Sequence, residues 1–97
     1  MKRNVKRQSG RKKEFCLAFR QNLRIFRIKA GMSQEDLANA IGLGQPVISS
    51  YEYGRCEPPL LTVVQLAKAL NVEDIGEFFI PPSKKDINEF LSDMDYD

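Results

Sequence analysis

Covalent chemistry has little to work with in this chain of 97 residues. Histidine is absent and the only thiols are Cys16 and Cys56, which excludes nucleophile–histidine catalysis and histidine-ligated zinc. Two cysteines supply neither a disulfide framework nor a metal site. Carboxylates are plentiful, yet none is paired at a spacing that suggests acid–base work, and there is no glycine-rich phosphate loop. Ser49 and Tyr51 are therefore packing residues before they are nucleophiles. The expectation is a protein with no catalytic step, no cofactor and no metal.

The chain does carry an uneven distribution of charge. Residues 1–14 hold Lys2, Arg3, Lys6, Arg7, Arg11, Lys12 and Lys13 against Glu14, a net +6. Residues 15–80 are near neutral at −1, and residues 81–97 reach −3. A basic arm with few apolar groups has little to bury and is expected to be flexible when alone. Its charge suits a polyanion, where phosphate neutralisation releases counterions. The plain alternative is a solubilising leader.

Length bounds the organisation that must position these groups. One small hydrophobic core plus two tails is the expectation, with no second sensory or cofactor domain. Hydrophobic types make up 42% of residues and charged types 29%, which fits a soluble globule. No apolar run approaches the ~20 residues needed to span a bilayer. Nothing resembles the apolar stretch of a secretory signal. The expected setting is a reducing cytoplasm.

The apolar period between residues 15 and 80 is helical. Phe15, Phe19, Leu23, Phe26 and Ala30 form one stripe ending at Gly31, with Ile25 and Ile28 off it. Ser33 begins a capping box with Asp36, and Met32 can staple against Leu37. Helix two follows at 34–41 and stops at Gly42; Leu43 plugs the corner. Pro46 in the first turn starts a third helix at 45–53, which buries Ile48 and Tyr51. Leu60, Val63, Val64, Ala67 and Leu70 make a fourth stripe with Leu66 beside it, and 74–79 a short fifth helix. Within an acidic tail over 81–97, Ile87, Phe90, Leu91 and Met94 have helical spacing, but a segment this short is marginal unless it docks.

Two short helices around a glycine corner, inside an all-α, five-helix domain, match a helix-turn-helix, whose second member can enter a major groove. The sequence closely resembles the Cro/C1-type helix-turn-helix family, that is, phage-repressor-like and XRE-like DNA-binding proteins. The resemblance rests on Leu23-Arg24 and Arg27, Gly31-Met32-Ser33-Gln34, Leu37-Ala38, Ile41-Gly42, Ile48-Ser49, Tyr51-Glu52 and Gly54. It continues through Pro58, Leu60, Leu66-Ala67, Ala69-Leu70 and Val72. It spans about residues 19–79.

The resemblance implies a role for each matching position. Arg27 and Glu52 stand where a structural ion pair ties helix one to the recognition helix. Gln34 is similar to the glutamine that contacts backbone phosphate and braces that helix, and Ser33, Gly44, Tyr53 and Arg55 lie along the same edge. Base reading falls on Gln45, Pro46, Val47 and Ser50. Gln45 is the strongest reader, since its amide can pair bidentately with adenine. Val47 suits a thymine methyl, Ser50 a single hydrogen bond, and Pro46 only apolar contact.

Three departures from the family pattern predict modest affinity. Gly44 replaces a capping Ser or Thr, Glu57 puts negative charge in the following loop, and the reading surface is poor in Arg and Lys. The basic arm is expected to compensate by tracking the duplex.

One short helix reads too few base pairs for genomic specificity, so a homodimer on an inverted-repeat operator of double-stranded DNA is expected. Family resemblance points to Leu61, Phe78, Phe79 and Ile80 as the dimer interface. The expected function is a sequence-specific regulator of transcription. Two alternatives stay open: an antitoxin-like autorepressor whose acidic tail binds a toxin, and a helix-turn-helix protein-interaction adaptor.

Overall fold

A computed structural model describes the backbone of residues 5–93 and the side chains from Lys12 onward. All regular structure among these residues is helical. The order is α1 (Val5–Lys29), α2 (Gln34–Ile41), α3 (Gln45–Glu52), α4 (Leu60–Ala69), a 3-10 helix (Ile75–Phe79) and α5 (Lys84–Phe90). No helix among the described residues is long and apolar enough to cross a membrane.

The flexible arm expected over 1–14 requires correction. Helical backbone begins at Val5 and runs unbroken for 25 residues, a rod of about 37 Å at 1.5 Å per residue. Lysine, arginine and glutamine are good helix formers. The turn nucleated by the packed apolar stripe can propagate upstream at one hydrogen bond per residue. Lys2 and Arg3 lie outside the described residues, as do the side chains of Lys6, Arg7 and Arg11.

Corners form where their residue types dictate. Gly31 takes φ +72°, and Gly42 ends α2 at φ +75°, a left-handed conformation that costs glycine little. The Ser33 hydroxyl accepts from the Asp36 amide at 2.9 Å, while the Asp36 carboxylate accepts from the Ser33 amide at 3.0 Å. Hydrogen bonding to its carboxylate from the Ser33 amide, then from the Ser33 hydroxyl, holds the Asp36 carboxyl below its ordinary pKa. The resulting stability is present above the unfolded carboxylate pKa and is lost as pH falls through the folded one. Ser33→Ala is expected to cost about 1 kcal/mol, read as a lower urea midpoint at unchanged slope.

The core gathers Phe19 and Leu23 from α1, Leu37 and Ala38 from α2, Ile48 and Tyr51 from α3, and Val63, Leu66, Ala67 and Leu70 around α4. Phe78 closes it, with ring centroids 5.2 Å from Phe19 and 5.5 Å from Phe26. Two stripe assignments shift. Leu60 is exposed because it is the first residue of a ten-residue α4, so Leu66 takes the central place. Phe15 is also exposed, although its ring meets Phe79 edge-on.

The expected fifth helix is a 3-10 turn, pinned by a residue that lies outside any apolar pattern. Buried Asn22 donates its amide to the Phe78 carbonyl at 2.8 Å and the Ile80 carbonyl at 2.7 Å. It thereby satisfies backbone acceptors that a 3-10 end leaves open. The acidic tail docks rather than fraying. Ser83 caps α5, Leu91 is buried, and Arg24 grips the tail through the Phe90 carbonyl at 3.2 Å and both Asp93 oxygens at 3.1 and 3.0 Å. Lys29 adds an ion pair to Asp86 at 3.6 Å. Off-stripe Ile25 is buried too, as expected if α5 covers that side of α1. Met94 falls outside the described residues.

Candidate nucleic-acid interface

The α2–α3 corner sets the geometry. The Leu43 amide donates to the Ala38 carbonyl at 2.9 Å, which folds the chain back so that Gln45 opens α3 beside the start of α2. Gly44 precedes it in an extended conformation with no side-chain cap, and Pro46 sits in the first turn. Pro46 has no amide to leave unsatisfied there. Gln45 and Pro46 are exposed; Val47 and Ser50 are half-buried. Val47 packs partly against the core, so less of it is left to meet a thymine methyl than of Gln45 to meet a base.

Behind this surface runs a connected polar chain. The Gln45 amide nitrogen donates to Gln34 Oε1 at 2.6 Å, and Gln34 Nε2 donates to Glu52 Oε1 at 3.0 Å. Glu52 is wholly buried and Arg27 is 7% exposed. Arg27 meets the carboxylate with two parallel bonds, Nε to Oε2 at 2.6 Å and Nη2 to Oε1 at 3.1 Å. Its Nη1 also donates to the Met32 carbonyl at 2.8 Å. Such a fork combines charge with fixed orientation. Arg27 therefore ties α1, the Gly31 turn and the end of α3 into one unit.

This chain divides the two glutamines by role. Both polar atoms of Gln34 are engaged internally, so its first task is to hold Gln45 against Glu52. Gln45 has one N–H committed, which leaves its carbonyl and second N–H for a partner. Arg24 extends the chain, with Nη1 3.8 Å from Glu52 while its other atoms hold the tail. No periodicity argument identifies Arg24 as a link between α5 and the recognition helix. Its place beside Arg27 in the family resemblance is the signal that points to it.

Along the edge that the resemblance assigns to backbone contact, Ser33, Gly44, Tyr53 and Arg55 are all exposed. The Arg55 guanidinium lies 5.2 Å from the Tyr53 ring centroid, a cation–π contact that positions it beside the C-terminus of α3. Gly54 follows at φ +75°, and Arg20 packs so closely over it that a Cβ there would collide with the guanidinium. Lys12 and Lys13 are exposed on α1. Lys12, Arg20 and Arg55 line one groove, so this stretch of α1 adjoins the loop after α3.

Of the four residues expected at a dimer interface, Phe78 needs correction. It is fully buried between Phe19 and Phe26 and has no surface to offer. Phe79 is half-buried, whereas Leu61 is 70% and Ile80 64% exposed. No group of three or more metal-ligating side chains occurs among the described residues.

Known proteins match this arrangement. A family profile described as helix-turn-helix covers residues 23–77. The cryptic phage CTXphi transcriptional repressor RstR of Vibrio cholerae is 37% identical over 73 residues, 75% of this chain but only 64% of the repressor's length. An uncharacterized HTH-type transcriptional regulator of Methanothermobacter thermautotrophicus is 36% identical over 58 residues, 60% of this chain and 84% of that protein. The crystal structure of the hypothetical transcription factor NHTF from Neisseria superposes with a TM-score of 0.65 at 31% identity, covering 73% of this chain and 80% of that one.

Proposed function

The chain belongs to the Cro/C1-type, XRE-like helix-turn-helix family of transcriptional regulators, and on that premise we propose that it binds an inverted-repeat DNA operator as a homodimer and controls transcription there. The observation that carries this reading is the braced glutamine. Gln45, exposed at the start of α3, is held by Gln34 and through it by the buried Glu52 and Arg27 pair. A side chain oriented before contact loses less entropy on meeting a base edge.

Ser33, Gln34, Gly44, Tyr53 and Arg55 supply the backbone contacts in this reading, and Gln45, Pro46, Val47 and Ser50 the base contacts. The basic segment from Lys2 to Lys13 adds sequence-independent attraction. Leu61 and Ile80, with the edge of Phe79, form the pairing surface. Large exposed apolar side chains of this kind mark association surfaces when they lie together.

Selection from a random duplex pool at near-physiological salt is the direct test. Enrichment of an inverted repeat is the expected result; binding to every duplex alike, abolished by salt, sinks the reading. Deleting residues 1–13 is expected to lower affinity and to flatten the salt dependence by about 0.9 in slope for each phosphate no longer neutralised. Unchanged affinity and slope remove the arm from the interface.

In the antitoxin alternative a toxin would meet the tail already docked, with Leu91 buried, Asp93 engaged by Arg24, and Ile87 and Phe90 half-buried.

A further inference from the structure

A groove of about 730 Å³ opens where α1 passes the loop between α3 and α4. That volume falls within the range of about 300–1,000 Å³ typical of small-molecule sites. Phe15, Phe19 and Phe79 supply its aromatic wall. The Phe79 ring meets Phe15 edge-on at 6.3 Å and stacks on Phe19 at 5.8 Å. Val63 and Pro58 supply the facing apolar surface.

Charge at this groove is one-sided. Among the described lining residues, Lys12, Arg20 and Arg55 stand against a single acid, Glu57. Glu57 is already engaged, accepting from the Cys16 thiol at 3.3 Å. Burial, that hydrogen bond and the Glu57 charge together push the Cys16 thiol above its ordinary pKa, which keeps it a neutral thiol.

We propose that this groove binds an amphipathic monocarboxylate, an aryl or medium-chain acyl acid, and that its occupancy weakens DNA binding. The apolar body lies on Phe15, Phe19 and Phe79, and the carboxylate meets Arg55 and Lys12 at the rim. Charge complementarity selects an anion over an uncharged or cationic amphiphile. The regulatory half rests on the operator reading; the binding half does not. Arg55 is the link, because it stands one residue beyond Gly54 at the end of the recognition helix, over Tyr53. A carboxylate held by Arg55 withdraws that cation from the DNA backbone. By linkage, duplex and carboxylate then oppose each other by the same factor.

The chain's two cysteines allow a test that needs no DNA. Both cysteines line the groove, Cys16 half-buried and Cys56 exposed, so alkylation by iodoacetamide, mapped by mass spectrometry, reports occupancy at two points of its wall. Decanoate and 2-naphthoate are expected to slow Cys16 alkylation saturably, and that of the more exposed Cys56 to a smaller degree at the same half-saturating concentration, and decanol is expected to do so far more weakly. Phe15→Gln, a change at an exposed position, is expected to raise the protecting concentration at least tenfold with helicity unchanged. Saturating carboxylate is expected to weaken operator binding by about fivefold or more, the lower end of typical couplings.

Absence of Cys16 protection at millimolar carboxylate overturns the site. Equal protection by decanol overturns the choice of an anion. Protection that rises with protein concentration alone identifies a second copy of the chain as the occupant and overturns the proposal. Carboxylate binding with unchanged operator affinity overturns the regulatory half. Failure to bind any duplex overturns the operator reading alone, and Cys16 protection still decides the groove.

Discussion

Glu52→Ala is expected to lower stability by about 3–5 kcal/mol, the cost of breaking a buried ion pair from one side. The carboxylate has no solvent exposure, so no water stands ready to replace it. Its loss strands the Arg27 guanidinium inside the domain with only the Met32 carbonyl at 2.8 Å left from its fork, and it deprives Gln34 of its acceptor. For a domain whose total stability is on the order of 5–15 kcal/mol, that is a large fraction. Urea denaturation should show a much lower midpoint with an unchanged slope.

The paired replacement separates charge from shape. Arg27→Met combined with Glu52→Leu is expected to recover much of the loss, since an apolar pair of similar volume avoids the desolvation cost that buried ions incur. A loss below about 1 kcal/mol in Glu52→Ala, within the range of exposed pairs, would show that the pair is solvated and not the brace described above. Recovered stability without recovered operator binding is also expected, because a leucine side chain in place of Glu52 cannot accept from Gln34.

Gln45→Ala carries the largest expected effect on recognition. Loss of a bidentate adenine contact costs about 1–3 kcal/mol, so operator affinity should fall roughly 5- to 140-fold at about 1.4 kcal/mol per decade. Binding to unrelated duplex at low salt should change by less than about twofold, since that term comes from phosphate neutralisation. Stability should move by no more than about 0.5 kcal/mol, as expected for an exposed side chain. Comparing the variant on selected and scrambled duplexes in fluorescence anisotropy gives the answer. An equal loss on both would make Gln45 a backbone contact and require Val47 or Ser50 to do the reading.

The helix-turn-helix is legible in the sequence because its signals are local. Ser33 with Asp36, Gly42 in the corner and Pro46 in the first turn each act within a few residues, so capping and backbone preference identify them without tertiary context. The same holds for the helical apolar period and for the absence of histidine. Phe78 is different, because a short apolar run does not reveal which of its members turns inward. The 3-10 winding buries Phe78 and leaves Ile80 out, and Asn22, 56 residues earlier in sequence, holds that winding.

Sequence alone determined the fold class, the recognition-helix position, the Arg27 and Glu52 partnership through family resemblance, and the charge polarity of the two ends. Tertiary structure decided the conformation of the described part of each end. The basic segment could be coil or helix by composition, and it joins α1 because the packed stripe downstream nucleates a helix that extends to Val5. The acidic tail could fray or dock, and it docks because Arg24 binds both a carbonyl and a carboxylate of the tail while Leu91 finds a buried place. Likewise the Gln45, Gln34, Glu52 chain exists only once α2, α3 and α1 meet. Pairings between distant positions depend on which faces come together, and no residue's neighbours along the chain contain that information.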